Sequence, residues 1–265
     1  MAICTYCAVE SPATREHVTP KFVYEYLKIE GKHVGWNRRI DTWKSNLENV
    51  TKDVCAKCNN GPLAELDAYG KHFFEINRLA SQRYASSETL RYDFHLLTRW
   101  LLKVSFNASR ASALGLLSHD QYLPYILCGE PLPDSRYLCL LCELLKPVRV
   151  ADFPYLEGIG TYTVANERFI NPLQFRLFTV KPTDSDQWVA RCIQIGGLMF
   201  HLLFIDAKVL VGHAAAARRK YAKMQPGSVA LPVGRNVCRL NTCSRTWLEA
   251  IWTEDFVDRL DAWEP

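Results

Sequence analysis

The sequence contains no run long and apolar enough to span a membrane. Its longest uncharged hydrophobic stretch is CIQIGGLMFHLLFI, residues 192–205, shorter than the about 20 residues a helix needs to cross a bilayer. The opening MAICTYCAVE lacks the basic start and apolar middle of a secretory signal. A cytoplasmic, reducing compartment is therefore expected. No internal repeat or low-complexity tract is present, and neither sign of charge dominates: 32 Lys and Arg stand against 28 Asp and Glu, a net +4. With pI near 8.5, an anionic partner is permitted but not demanded, since dedicated nucleic-acid domains often sit above pI 9. Disorder is excluded, because 48% hydrophobic and 23% charged residues over 265 positions can fill a core. Ten cysteines are too sparse for a disulfide scaffold. They are left to serve as thiols, metal ligands or core filler.

The periodicities predict an α+β protein in two units, residues 1–80 and 81–265. In the first, KFVYEYLKI (21–29) has helical spacing, KHVGWNRRIDTW (32–43) reads as a hairpin, and NVTKDVC (49–55) reads as a returning strand. A helix over 62–80 follows, with Pro62 in its first turn, where a missing N–H costs nothing. In the second unit, SSETLRYDFHLLTRWLLKVSFNASRASALGLL (86–117) predicts one long helix capped by Ser86 or Ser87, and helical structure is expected over 86–127. From about 137 to 206 come short runs rich in β-branched and aromatic residues, including YLCLLCELL, WVARCIQI and LMFHLLFID, which predict a mostly antiparallel sheet. Helices are expected over 208–263, at 213–224 and 246–263.

The sharpest chemical signal is two cysteine pairs, Cys4-x2-Cys7 and Cys55-x2-Cys58. A two-residue gap lets one tight turn present two thiolates to a single ion, and four such ligands close a tetrahedral structural zinc. Cys139-x2-Cys142 is different, because its neighbours apart from Glu143 are apolar and it reads as core strand. With Cys238-x4-Cys243 it would supply a second four-cysteine set. The polar residues around the first two pairs suit surface knuckles.

Between the pairs lies TREHVTPKF (14–22), and after them comes CAKCNNG (55–61). CTYC, REHVTP and CAKCNNG in this order resemble the HNH endonucleases, the ββα-metal nucleases built around a four-cysteine zinc knuckle. The resemblance covers about residues 4–67. It implies an N-terminal treble-clef-like ββα-metal finger followed by a mixed helical and antiparallel-sheet domain. It also implies His17 as general base, Glu16 and Asn59 as ligands of a catalytic Mg²⁺ or Mn²⁺, and Asn60 beside them. The family's middle asparagine falls on Asn49 or Asn46. A second histidine or asparagine often stands one turn along the family's helix; here that place is Leu63.

The chemistry is coherent with those residue types. Phosphodiester hydrolysis needs an activated water and a cation beside the phosphate, and histidine is the usual base near neutral pH. Adjacent residues on a regular strand point to opposite faces, so Glu16 and His17 meet one ion only if the strand breaks, and Thr19-Pro20 is the expected break.

For substrate grip, GWNRRIDTWK (35–44) joins Trp36 and Trp43 to Arg38, Arg39 and Lys44, a mixture of ring faces and phosphate binders. The expected partner is nucleic acid, DNA by resemblance, with no membrane. Residues 81–265 would recognise the target, dimerise or meet a partner protein. His95, His119, His201 and His213 are scattered through that unit, and His201 reads as a half-buried strand residue. The alternative function is a zinc-stabilised nucleic-acid-binding or protein-interaction module without catalysis.

Overall fold

The structure is a computed structural model that describes residues 1–29, 34–37, 42–45, 50–79, 86–112, 119–154, 157, 161–170, 175–181, 187–246 and 248–249, with the backbone alone at 27–29, 34–37, 42–45 and 112. Strands β1 (Ala2–Ile3) and β2 (Glu10–Ser11) pair across the first cysteine turn. β3 (Ala13–His17) runs antiparallel to β6 (Val50–Cys55), with Ala13 opposite Cys55 and His17 opposite Val50. Between them lie α1 (Lys21–Ile29) and the hairpin β4 (Val34–Asn37) and β5 (Thr42–Ser45), whose register sets Trp36 opposite Trp43. Helix, hairpin and returning strand all fall where their sequence patterns place them.

A short helix α2 (Ala56–Asn60) starts directly from β6, and α3 (Pro62–Ile76) follows. Gly61 separates them because the turn is tight: a Cβ there would lie 2.7 Å from the Lys57 carbonyl oxygen. Asn59 therefore sits in the last turn of α2, not at the start of the longer helix. The N-cap position of α3 belongs to Gly61.

The single helix expected over 86–117 is instead a strand, β7 (Ser87–Arg91), and a helix, α4 (Phe94–Ser112). The boundary is set by Asp93, whose carboxylate accepts the Leu96 amide at 2.9 Å as an N-cap. Neither serine is the cap. β7 is held by pairing with β15 (Val237–Thr246), a strand lying inside the block expected to be helical over 208–263. VCRLNTCSRT fully buries only Leu240, so its alternation carries little hydrophobic signal. The expected helix at 246–263 lies almost wholly outside the described residues.

The remaining elements are α5 (Leu123–Cys128), β8 (Leu138–Lys146), β9 (Thr161–Val164), β10 (Glu167–Ile170), β11 (Phe175–Val180), β12 (Trp188–Ile195), β13 (Leu198–Ile205), α6 (Val211–Met224) and β14 (Val229–Ala230). β9 and β10 form a separate hairpin. The large sheet has the order β11-β12-β13-β8-β15-β7, with β14 also on β8. All of its pairings are antiparallel except β15 with β8. β13 shows no polar alternation because helices cover both faces. Phe200, Leu202 and Phe204 join the cluster containing α3 and α4, while Leu203 and Ile205 pack on Ala214, Ala217 and Tyr221 of α6.

The N-terminal elements share that core. Trp100 of α4 is fully buried among Phe22 of α1 and Phe73 and Phe74 of α3, and Phe73 reaches Phe200 of β13 with ring centroids 5.9 Å apart. Gly70 lets α3 approach this ring, for a Cβ there would lie 2.4 Å from a Trp100 ring carbon. One buried cluster runs from Cys4 to Leu240. Among the described residues, no helix is long and apolar enough to cross a membrane.

Candidate metal centre and the seam behind it

The antiparallel β3–β6 pair brings the two cysteine turns together. The sulfurs of Cys4, Cys7, Cys55 and Cys58 all lie within 4.8 Å of one another, a group that can hold a metal ion such as zinc. Cys7 and Cys55 are 3.8 Å apart, and a tetrahedral ion with Zn–S bonds near 2.3 Å sets its sulfurs about 3.8 Å apart. Local backbone prepares these sulfurs for negative charge. The Cys55 amide donates to Cys4 Sγ at 3.3 Å, and the Cys58 amide donates to Cys55 Sγ at 3.4 Å as the N-cap bond of α2. Burial raises the Cys4 thiol, but the backbone amides of Cys55, Cys7 and Tyr6 outweigh it and bring the thiol down to about 7. Burial pushes Cys7 and Cys58 up, and at Cys58 its cysteine neighbours add to the rise. Four thiolates this close need a cation among them. All four positions are filled by protein, so an ion here ties the fold together and offers no open coordination place. Cys4, Cys55 and Cys58 are buried in the main core, deeper than surface knuckles would be. Among the described residues no second such group forms, and Cys142 is a buried thiol of β8.

The Glu16–His17 dipeptide ends β3. The register of β3 against β6 shifts between Thr14 and Glu16, so the irregularity precedes the dipeptide and does not fall at Thr19-Pro20. The two side chains have different neighbours. His17 is half-buried, with its ring 6.4 Å from that of Tyr24 on α1. Glu16 is 3% exposed and faces α4. Its Oε1 accepts from Asn107 Nδ2 at 2.9 Å and pairs with Lys103 Nζ at 2.9 Å.

Asn59 fastens α2 to the same strand, its Nδ2 donating to Thr14 Oγ1 at 2.8 Å and to the Arg15 carbonyl at 2.9 Å. Asn60 is exposed. Asn49, Asn46, Arg38 and Arg39 lie outside the described residues. For Trp36 and Lys44 only the strand positions are described.

Sequence reasoning missed the residues of α4 that complete this region. Lys103 is 1% exposed; its Nζ also meets Asp67 Oδ2 at 2.7 Å and the Leu63 carbonyl at 3.3 Å. Asn107 donates a second bond to the His17 carbonyl at 3.0 Å, while its Oδ1 accepts from Tyr6 at 2.7 Å and from Arg110 at 2.5 Å. Arg110 pairs with Asp53 and donates to Thr5 Oγ1 at 2.9 Å. Its guanidinium lies 4.7 Å from the Phe106 ring centroid. Lys103, Asn107 and Arg110 recur at helical spacing along α4, and that was the signal available.

A second buried polar cluster lies in the large sheet. His201 is 2% exposed, more buried than a half-buried strand residue. Its Nδ1 is 2.7 Å from the Tyr221 hydroxyl and 3.5 Å from Cys192 Sγ, and its Nε2 is 3.2 Å from Glu143 Oε1. Arg245 of β15 donates to the same Glu143 oxygen at 2.5 Å. Burial lowers the His201 imidazole, yet the Cys192 sulfur and the Glu143 carboxylate more than reverse this and hold it up at about 9. Glu143 is held below the usual carboxylate range, its burial outweighed by His201 and Arg245.

Compared with known protein families, curated proteins and solved structures, the chain matches none of them.

Proposed function

We propose that the chain is an HNH-type endonuclease that hydrolyses phosphodiester bonds in DNA, with an N-terminal treble-clef-like ββα-metal finger as its catalytic unit. The observation that carries the reading is the four-sulfur group, which joins the β3–β6 strand pair to α2. That junction is what gives CTYC, REHVTP and CAKCNNG a common purpose. Asn59 supports it further, since its bonds to Thr14 and Arg15 hold the second cysteine turn one residue from the Glu16–His17 dipeptide.

In this reading His17 takes the proton of the attacking water, a task for which a partly exposed imidazole is suited near neutral pH. Its main chain is held by Asn107, so the base sits on a fixed strand end. Trp36, Arg38, Arg39 and Lys44 of the hairpin segment grip the strand through ring faces and phosphates.

Zinc fits the four cysteines, and its work there is structural. A divalent ion at Glu16 does not fit the arrangement, because the carboxylate is buried and its Oε1 already accepts from Lys103 and Asn107. No step is therefore assigned to Mg²⁺ or Mn²⁺ at that carboxylate. The same observation favours a second reading, a zinc-stabilised nucleic-acid-binding or protein-interaction module without catalysis. Incubating zinc-loaded protein with plasmid DNA in Mg²⁺, in Mn²⁺ and in EDTA separates the two. Nicking or linearisation supports the nuclease; intact plasmid in every arm, with shifted mobility in a binding gel, supports the module.

A further inference from the structure

Lys103 is among the most buried side chains of the molecule, and a lysine is almost never that deep unless it is paired. Its three ammonium protons have three oxygens: Glu16 Oε1 at 2.9 Å, Asp67 Oδ2 at 2.7 Å and the Leu63 carbonyl at 3.3 Å. Two carboxylates and a carbonyl are the donor set a hard divalent cation takes. The oxygens come from two elements, β3 and α3, and α4 brings the ammonium to them. The set is held by packing, since Gly70 lets α3 settle on Trp100, one turn before Lys103 on α4.

We infer that Lys103 is the standing cation of the Glu16–Asp67 carboxylate pair, an ammonium fixed where the HNH resemblance calls for an exchangeable Mg²⁺ or Mn²⁺, so that the wild-type chain loads no divalent ion at Glu16. Two facts make the ammonium hard to displace. Glu16 Oε1 is doubly occupied, because Asn107 Nδ2 donates to it as well. The approach is closed on the Glu16 side, which is 3% exposed, and only Asp67, with 28% of its side chain exposed, faces outward. An ion arriving beside Asp67 meets an ammonium already neutralising that oxygen, and like charges at such range repel.

The inference rests on the proposed nuclease reading only for its contrast with a catalytic ion, and its test does not use cleavage. Mn²⁺ binding to zinc-loaded protein is measured by electron paramagnetic resonance for wild type, Glu16→Gln and Lys103→Met. The expected result is that wild type and Glu16→Gln bind Mn²⁺ equally weakly. Lys103→Met should gain a site at least tenfold tighter than wild type, lost again when Asp67→Asn is added. A tenfold or greater weakening of wild-type Mn²⁺ binding by Glu16→Gln overturns the inference, as does a folded Lys103→Met chain that gains no site. Should Lys103→Met fail to fold, the comparison of wild type with Glu16→Gln decides alone. A protein that cleaves nothing yet binds Mn²⁺ through Glu16 sinks this inference separately from the nuclease reading.

Discussion

The five-residue β3 and six-residue β6 form a two-stranded sheet, whereas β13 lies inside a seven-stranded one with every residue buried. A two-stranded hairpin is marginal alone in water. The β3–β6 pair meets that deficit with four sulfurs around one place and with a polar seam to α4. The large sheet meets it with apolar burial on both faces, from α3 and α4 on one side and α6 on the other. Each region also buries one carboxylate against cations: Glu16 against Lys103, and Glu143 against His201 and Arg245. The difference lies in what such groups join. The first network ties the finger to a distant helix, while the second ties β8, β13 and β15 within one sheet.

That contrast can be broken most severely at the cysteines. Cys55→Ser should remove the metal and unfold the finger, because the apparent binding free energy of a structural zinc, about 10–16 kcal/mol in small zinc domains, is folding free energy. Metal analysis should find about one zinc per wild-type chain and much less in the variant. Circular dichroism should show the sheet signal surviving in part. A soluble, folded wild type without metal would remove the basis of the comparison.

Next in size is Lys103→Met, which leaves Glu16 and Asp67 facing each other without their cation. Breaking a buried pair by removing one partner costs about 3–5 kcal/mol, readable in urea unfolding. A cost below about 1 kcal/mol would place the pair with ordinary surface bridges instead.

The sheet network gives a pH signature. The His201 imidazole is held at about 9 in the fold, above its ordinary value of 6.5. A group raised in this way stabilises fully below its unfolded value and loses that contribution as pH rises through the folded one. Thermal stability should therefore fall between about pH 6.5 and pH 9, and His201→Gln should flatten that slope while lowering stability near neutrality. An unchanged slope in the variant would remove His201 as its source.

The smallest expected effect concerns the hairpin segment. Replacing Arg38 and Arg39 by alanine should lower the salt slope of DNA binding by about one unit for each phosphate that an arginine no longer neutralises. A slope equal to wild type would assign these residues to an ordinary exposed turn.

The elements around the four cysteines were legible because their signals are local and chemical. The two CxxC turns, the helix at 21–29, the hairpin and β6 all follow from short patterns. What escaped was decided at long range. β7 and β15 hold each other across about 150 residues of sequence, and neither has the apolar alternation that marks a strand alone. Glu16 looked like half of a metal site because its sequence neighbour is a histidine, yet its partner Lys103 stands on a helix outside the resembling segment. His201 looked half-buried because the sequence does not reveal that α6 covers its face with Tyr221.

The central claim, that the metal-pinned finger is a catalyst with His17 as its base, is tested most directly by plasmid cleavage with zinc-loaded wild type and His17→Ala side by side. Removing a general base lowers the rate by about 10²–10⁴-fold, and the account predicts a loss of that size with zinc content and circular dichroism unchanged, since His17 is no ligand of the cysteine centre. Equal cleavage by the two proteins, or no cleavage by wild type in either Mg²⁺ or Mn²⁺, would contradict it.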